Sequence, residues 1–217
     1  MDFITNAFDF LCKGGPVMVP LVFCSVLSLA VMIERYMQLK SASRDGGMLM
    51  EKVEKNLAIS KYNAAVEVCG QEGTPLGDML ATGLKCPSHK SAERCMEEHA
   101  LKAMPLLYKR LNILDTIITI APLLGLLGTV TGMIRAFHVI ATKSGLSTPT
   151  AITGGVAEAL IATATGLAIA IATLVGYNYL TEKAKNIISE MEIYGTRLGN
   201  ILSTAVEEKN EVKAVGA

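Results

Sequence analysis

The chain has 217 residues, of which 51% are apolar and only 18% charged, with no Trp and a mean hydropathy of +0.40, a composition too apolar for water to be the only solvent. Twenty basic and twenty acidic residues cancel, so no cationic surplus points to nucleic acid or to an anionic lipid surface. The odd set Cys12, Cys24, Cys69, Cys86 and Cys95 contains no CxxC pair, in a chain too large to need staples, and a disulfide framework is not expected.

Residues 1–15 open the chain with Phe3, Ile4, Ala7, Phe8 and Leu11 at helical spacing, the pattern of a short interfacial helix or of a frayed terminus. Asp2, Asp9 and a lone Lys13 do not make the basic start of a cleaved signal peptide. From Pro16 to Ile33 run 18 uncharged residues, closed by Glu34 and Arg35, enough for a membrane-spanning helix over 16–35. The stretch 36–112 is rich in Ala, Leu, Met, Glu and Lys and punctuated by Gly46-Gly47, Gly73-Thr74-Pro75 and Cys86-Pro87-Ser88, which spells several short helices. Few breakers other than Pro105 separate Ser91 from Ile120, so the last of these helices is expected to run on into the second span.

That span covers 113–140, with 19 uncharged residues from Thr116 to Ile134. The connection 141–151 is short and holds Gly145 and Pro149, so the spans on either side form an antiparallel hairpin. The third span, 152–181, lies in a run of 38 residues whose only charge is Glu158. Helix formers continue through 182–206, and 207–217 reads as a disordered charged tail. From Ile152 to Val206 a helix would measure about 80 Å against a hydrocarbon core of about 30 Å, so much of it must stand outside the bilayer. Between spans one and two lie twelve Lys and Arg, and five follow span three, whereas Lys13 and Lys143 are the only ones in the other two segments. The excess of positive charge places the N-terminus outside and residues 36–112 and 182–217 in the cytoplasm.

Span one is built of Val, Leu, Phe and Met, as suits lipid. Between Ala151 and Leu180, by contrast, sixteen of thirty residues are Ala, Gly or Thr. Gly125, Gly128 and Gly132 in span two, with Gly154, Gly155 and Gly166 in span three, would let helix backbones approach closely. One hairpin cannot surround both of its small-residue faces, which implies a homo-oligomer with the hairpin inside and span one outside. The fold class is therefore an all-α membrane protein, three transmembrane helices with long cytoplasmic helical extensions bundled around a central lumen.

Glu158 is the residue on which function turns. A carboxylate inside a span costs about 2.5 kcal/mol or more on insertion scales and usually marks a bundle interior, a water-filled cavity or an ion pathway. At 100° per residue, Ala162, Thr165 and Ile169 stack on its face, while Thr163 sits about 140° round. In span two Thr129 is the one polar member of the stripe Gly125, Thr129, Gly132, Ala136. The plainer alternatives are that each Thr bonds its own backbone and that Glu158, near the outer end of its span, meets water or pairs with Arg135. His138 is either a proton-relay group or an interfacial structural histidine. Cys86, His89, Cys95 and His99 give CxxH followed by CxxxH, a spacing that matches no closed zinc pattern and reads as incidental. No P-loop and no nucleophile-base order occurs, so neither an enzyme activity nor a cofactor is expected.

The run Ile120-Ala-Pro-Leu-Leu-Gly-Leu-Leu-Gly-Thr-Val-Thr-Gly-Met-Ile134, followed by Gly155-Val-Ala-Glu-Ala-Leu-Ile-Ala-Thr-Ala-Thr-Gly-Leu167, resembles the signature of the MotA/TolQ/ExbB proton-channel family, in its ExbB branch. Gly14-Gly-Pro-Val-Met18, Ile33-Glu-Arg35, Thr74-Pro-Leu76 and Gly83-Leu84 are similar as well. The resemblance implies an inner-membrane energiser of five copies, whose lumen holds two helices of an ExbD-like or TolR-like single-span partner carrying a protonatable Asp. Proton flow then drives a TonB-like periplasmic protein, with H⁺ as the ion and Na⁺ left open. Thr129 and Thr163 match the lumen threonines of the family, and Glu158 its glutamate. Thr165, Asp115 and Arg135 stand where other members often carry apolar, small or uncharged residues.

Overall fold

The computed structural model describes residues 14–59, 61–142 and 149–215. Of the N-terminal segment 1–15 only Gly14 and Gly15 fall among these, and residues 143–148 of the connection lie outside them. Among the described residues seven helices follow in chain order: α1 (Met18–Ala42), α2 (Gly46–Ala58), α3 (Tyr62–Glu72), α4 (Pro75–Lys85), α5 (His89–Leu107), α6 (Leu111–Thr142) and α7 (Pro149–Val215). No strand occurs among the described residues. Three of the helical stretches are long and apolar enough to cross a membrane. The chain divides into two compact units, one of residues 1–34 and 110–179, the other of 35–109 and 180–217.

In the first unit α6 buries Leu111, Leu114, Ile117, Ala121, Gly125, Gly128, Gly132 and Ala136. Their three- and four-residue spacing is a single helical stripe. Ala159, Ala162, Gly166, Ala170 and Thr173 form the matching stripe on α7. Val17, Met18 and Leu21 of the α1 end pack with Ile117, Ala121, Ala162 and Ala170 into one apolar cluster. Pro122 is accommodated without interrupting α6. The outward faces carry large apolar side chains, Phe23, Leu126, Phe137 and Ile171 among them, each more than half exposed, as expected where lipid or another copy is the surrounding medium.

The second unit closes its helix ends with local chemistry. Asp45 caps α2 by accepting from the amides of Gly47 and Met48; Thr74 caps α4, which starts with Pro75; Ser88 and Ser91 make a reciprocal capping box on α5. Gly73 ends α3 in the left-handed region, φ 62°, where a side chain would be strained. The Gly46-Gly47 pair, expected as a break, is the first turn of α2. Buried between these helices and the distal part of α7 are Leu39, Met50, Val53, Met79, Leu80, Met191 and Leu198.

Three expectations are corrected. The helix over Ser91–Ile120 does not run through: α5 ends at Leu107 and α6 begins at Leu111, with Arg110 at φ 63° between them. The Arg35 guanidinium, only 2% exposed, donates to the terminal carbonyls of Leu106 (2.9 Å) and Leu107 (3.5 Å), stabilising the helix end there. Residues 207–215 are helical rather than disordered, consistent with a stretch of Ala, Glu, Lys and Val without Gly or Pro. Finally, Cys86 and Cys95 are joined in a disulfide. An odd count of cysteines does not forbid one local pair, and the turn capped by Ser88 brings the end of α4 beside the second turn of α5. Among the described residues no three His, Cys, Asp or Glu are placed to hold a metal ion. Cys69 is a buried thiol, which burial and then the nearby Glu72 push up to about 11, so it stays protonated at neutral pH.

Candidate functional site

Glu158 lies on α7 in the first unit, its side chain 22% exposed. Arg135 on α6 donates from Nη1 to its Oε1 at 2.7 Å, with the guanidinium half in the open. The antiparallel hairpin makes the pairing possible, because the second half of α6 runs beside the first half of α7. Against the same carboxylate oxygen stands Gly15, at φ 74° and so close that a Cβ there would run into Oε1. Glycine is required at that position both for the backbone conformation and for the approach. The acid is thus enclosed by a cation and a bare backbone, and as a pair with Arg135 it adds no net charge to the apolar surroundings.

The threonines divide into two kinds. The Thr163 hydroxyl donates across the hairpin to the Gly125 carbonyl, 2.9 Å away, and so ties α7 to α6. Those of Thr129 and Thr165 donate within their own helices, to Leu126 O (2.7 Å) and Ile161 O (2.8 Å). Each hydroxyl has spent its one proton on a carbonyl and retains lone pairs that can still accept. Thr129 is half-buried beside the α6 stripe rather than in it.

The glycines expected to pack do so, with one exception. A Cβ at Gly125 would meet Thr163 Cα at 3.0 Å, at Gly132 the Gly155 carbonyl at 2.8 Å, at Gly155 the Ala136 Cβ at 2.9 Å, and at Gly166 the Ala121 carbonyl at 2.5 Å. Gly128 sits directly against Ala162. A Cβ at Gly154 would meet nothing within 4 Å among the described residues outside its own helix turn. This residue belongs to a different face of α7, where Ala157, Ala164, Ala168 and Ala172 are exposed. Glu158 and Thr165 lie between this face and the packed stripe, roughly 60–100° from the middle of each at 100° per residue. The hairpin therefore has one small-residue face closed against itself and another left open.

Two residues escaped the sequence reading. Thr173, 1% exposed, donates to Ile169 O at 2.8 Å, four residues beyond Ile169 on the stacked face of Glu158, so extending that stack would have found it. Gly15 belongs to the stretch Gly14–Met18 that carries part of the resemblance, but nothing in its neighbourhood in sequence points to residue 158. His138 is exposed on α6.

A family model described as the MotA/TolQ/ExbB proton channel family matches residues 71–193. A Synechocystis sp. protein named biopolymer transport protein ExbB-like 3 is 35% identical over 168 residues, 76% of this chain and 80% of its own length. ExbB-like 1 of the same organism is 33% identical over 205 residues, 88% and 76% respectively. The biopolymer transport protein ExbB of Aquifex aeolicus is 42% identical over 86 residues, 40% of this chain and 57% of its own.

Proposed function

Because the chain belongs to the MotA/TolQ/ExbB proton channel family, we propose that this multi-pass membrane protein is the channel-forming stator subunit of an ExbB-ExbD-type energiser. In this reading five copies surround a lumen in the inner membrane. The open small-residue face of α7, with Gly154, Ala157, Ala164, Ala168 and Ala172, turns toward neighbouring copies and toward the helices of an ExbD/TolR-like single-span subunit. Glu158, Thr129, Thr163 and Thr165 border the ion pathway, and the force reaches a TonB-like periplasmic protein. The Lys and Arg distribution supports an orientation with the N-terminus in the periplasm and the second unit in the cytoplasm.

The observation that carries the reading is the Glu158–Arg135 pair in the first turns of a spanning helix, 2.7 Å apart and beside an unpacked seam of small residues. Where water reaches it, such an ion pair is worth about 1 kcal/mol or less, whereas one charge crossing 100 mV releases about 2.3 kcal/mol. Arrival of a proton, or of a partner's charged group, can therefore open the pair and let it re-form, a cheap reversible step suited to a moving assembly. A seam of Ala, Gly and Thr presents little relief for a sliding helix to catch on.

The test is to reconstitute the chain with an ExbD-like subunit in liposomes and follow proton entry with a pH-sensitive dye. Glu158→Ala and Thr163→Val should each cut flux about tenfold or more, the equivalent of about 1.4 kcal/mol on the barrier, while the complex still assembles. A sodium gradient in place of the pH gradient should drive nothing. Undiminished flux in both variants would refute the assignment of the pathway, and conduction by the chain without a partner subunit would refute the stator role.

A further inference from the structure

A groove of about 430 Å³ in the second unit lies outside the site described above. Its floor is sulfur: Met79, Met96 and Met191 are each 3% exposed or less, and Met104 stands half-buried beside them. Glycine shapes it. Gly195 and Gly199, one turn apart on α7, leave room for the Met79 methyl (3.2 Å from where a Cβ would be) and for the Glu93 carboxylate (3.1 Å), and Gly83 does the same for Met96 at 2.6 Å. Leu101 projects at the edge, 59% exposed.

The rim has one sign of charge. Glu93 and Glu97, one turn apart on α5, face Glu192 on α7, and no Lys, Arg or His lines the groove. Lys102 on the same stretch of α5 is held by Glu98 at 2.7 Å, and Arg197 on α7 by Glu54. Three carboxylates repel phosphate and other anionic ligands. A pliable methionine floor accepts apolar side chains of varied shape, as in helix-binding grooves.

We propose that this groove docks a cationic amphipathic helix of a partner protein, its apolar stripe on the four methionines and Leu101, its Lys or Arg residues against Glu93, Glu97 and Glu192. The charge of the rim selects a cationic occupant, and it disfavours pairing of this groove with the same groove of a second copy, which would bring like carboxylates together.

The full chain in nanodiscs of zwitterionic lipid, with isotope-labelled methionine methyls, provides the test. The probe is a synthetic helix of about 18 residues made of Leu and Lys, compared with one in which every Lys is Glu. The Lys helix should shift the methyl signals of Met79, Met96, Met104 and Met191 saturably and leave Met50 unmoved, and the Glu helix should shift none. Glu93→Lys with Glu97→Lys should weaken binding about tenfold or more. Leu101→Gln, at an exposed position that folding does not need, should weaken it without changing its salt dependence. Equal shifts with both helices, unmoved groove methyls, or groove signals that change with the concentration of the chain alone, as a second copy would cause, would each overturn the proposal.

Discussion

The two units are both helical, yet they are held together by opposite kinds of side chain. The hairpin of the first unit is closed by Gly125, Gly128, Gly132, Gly155 and Gly166 against Ala121, Ala136 and Ala162, with backbones in contact. The second unit is filled by Met50, Met79, Leu80, Met191 and Leu198 and fastened by caps. The surrounding medium explains the contrast. Water drives large apolar groups together, at about 25 cal/mol per Å². Hydrocarbon offers no such drive, so helices associate through close van der Waals approach and hydrogen bonds, which small residues permit. Large apolar side chains are then free to face outward, as Phe23, Leu126 and Phe137 do.

If that contrast is right, truncation should be worst where water did the packing. Met191→Ala should cost about 2–5 kcal/mol, read as earlier denaturant release of the second unit with hydrogen exchange in α6 unchanged. An added methyl should act in the reverse sense. Gly166→Ala, whose new Cβ meets the Ala121 carbonyl at 2.5 Å, should destabilise the hairpin by about 1–3 kcal/mol. Gly70→Ala in α3, with open space around it, should stabilise the second unit by about 0.5–1 kcal/mol. Calorimetry of the two variants in the same detergent would show melting shifts of opposite direction, and shifts of the same sign would break the comparison.

Removing the Thr163 hydroxyl bond across the hairpin tests the remaining part of the argument. Thr163→Val keeps the volume and loses the bond to Gly125, at an expected cost of about 0.6 kcal/mol and no more than about 1.7, visible as faster exchange of α7 amides near residue 163.

The smallest effect is electrostatic. Burial, and then the charge of Asp45, raise the Glu190 carboxyl above its ordinary 4.5. With the folded-state value above the unfolded one, the native chain binds the extra proton. The contribution of Glu190 to stability is therefore greatest below about 4.5 and declines as the pH rises through the shifted value. Glu190→Gln should raise the melting temperature at neutral pH by about 1 °C or less and flatten that decline, and an unchanged pH profile would show that the carboxyl is solvated after all.

Much of the fold was legible because its signals are local. Apolar runs long enough to span, the short connection, and Thr74-Pro75 and Ser88 as helix starts all act through neighbours in sequence. Glu158 could be singled out because a lone carboxylate in an apolar run is costly wherever its helix is placed. Its partner could not be chosen, since water and Arg135 were equally open to it until the hairpin register set Arg135 beside it. The break at residues 108–110 was hidden for a similar reason, as the Arg35 side chain that caps α5 lies more than seventy residues away. The Cys86–Cys95 pair was obscured by reasoning from cysteine count and chain length, which says nothing about a turn that places two thiols together.

The amino-acid sequence by itself determined that three segments are long and apolar enough to cross a membrane, that the second and third form a hairpin rich in small residues, and that one acid sits within it, because hydrophobic length, residue size and charge are properties of each segment alone. Only the tertiary structure decided that Arg135 and Gly15 enclose that acid, that Thr163 rather than Thr129 or Thr165 ties the helices together, and that one small-residue face of α7 is packed while the other stays open. Those outcomes depend on register and approach between segments distant in sequence, where differences of an ångström select the partner.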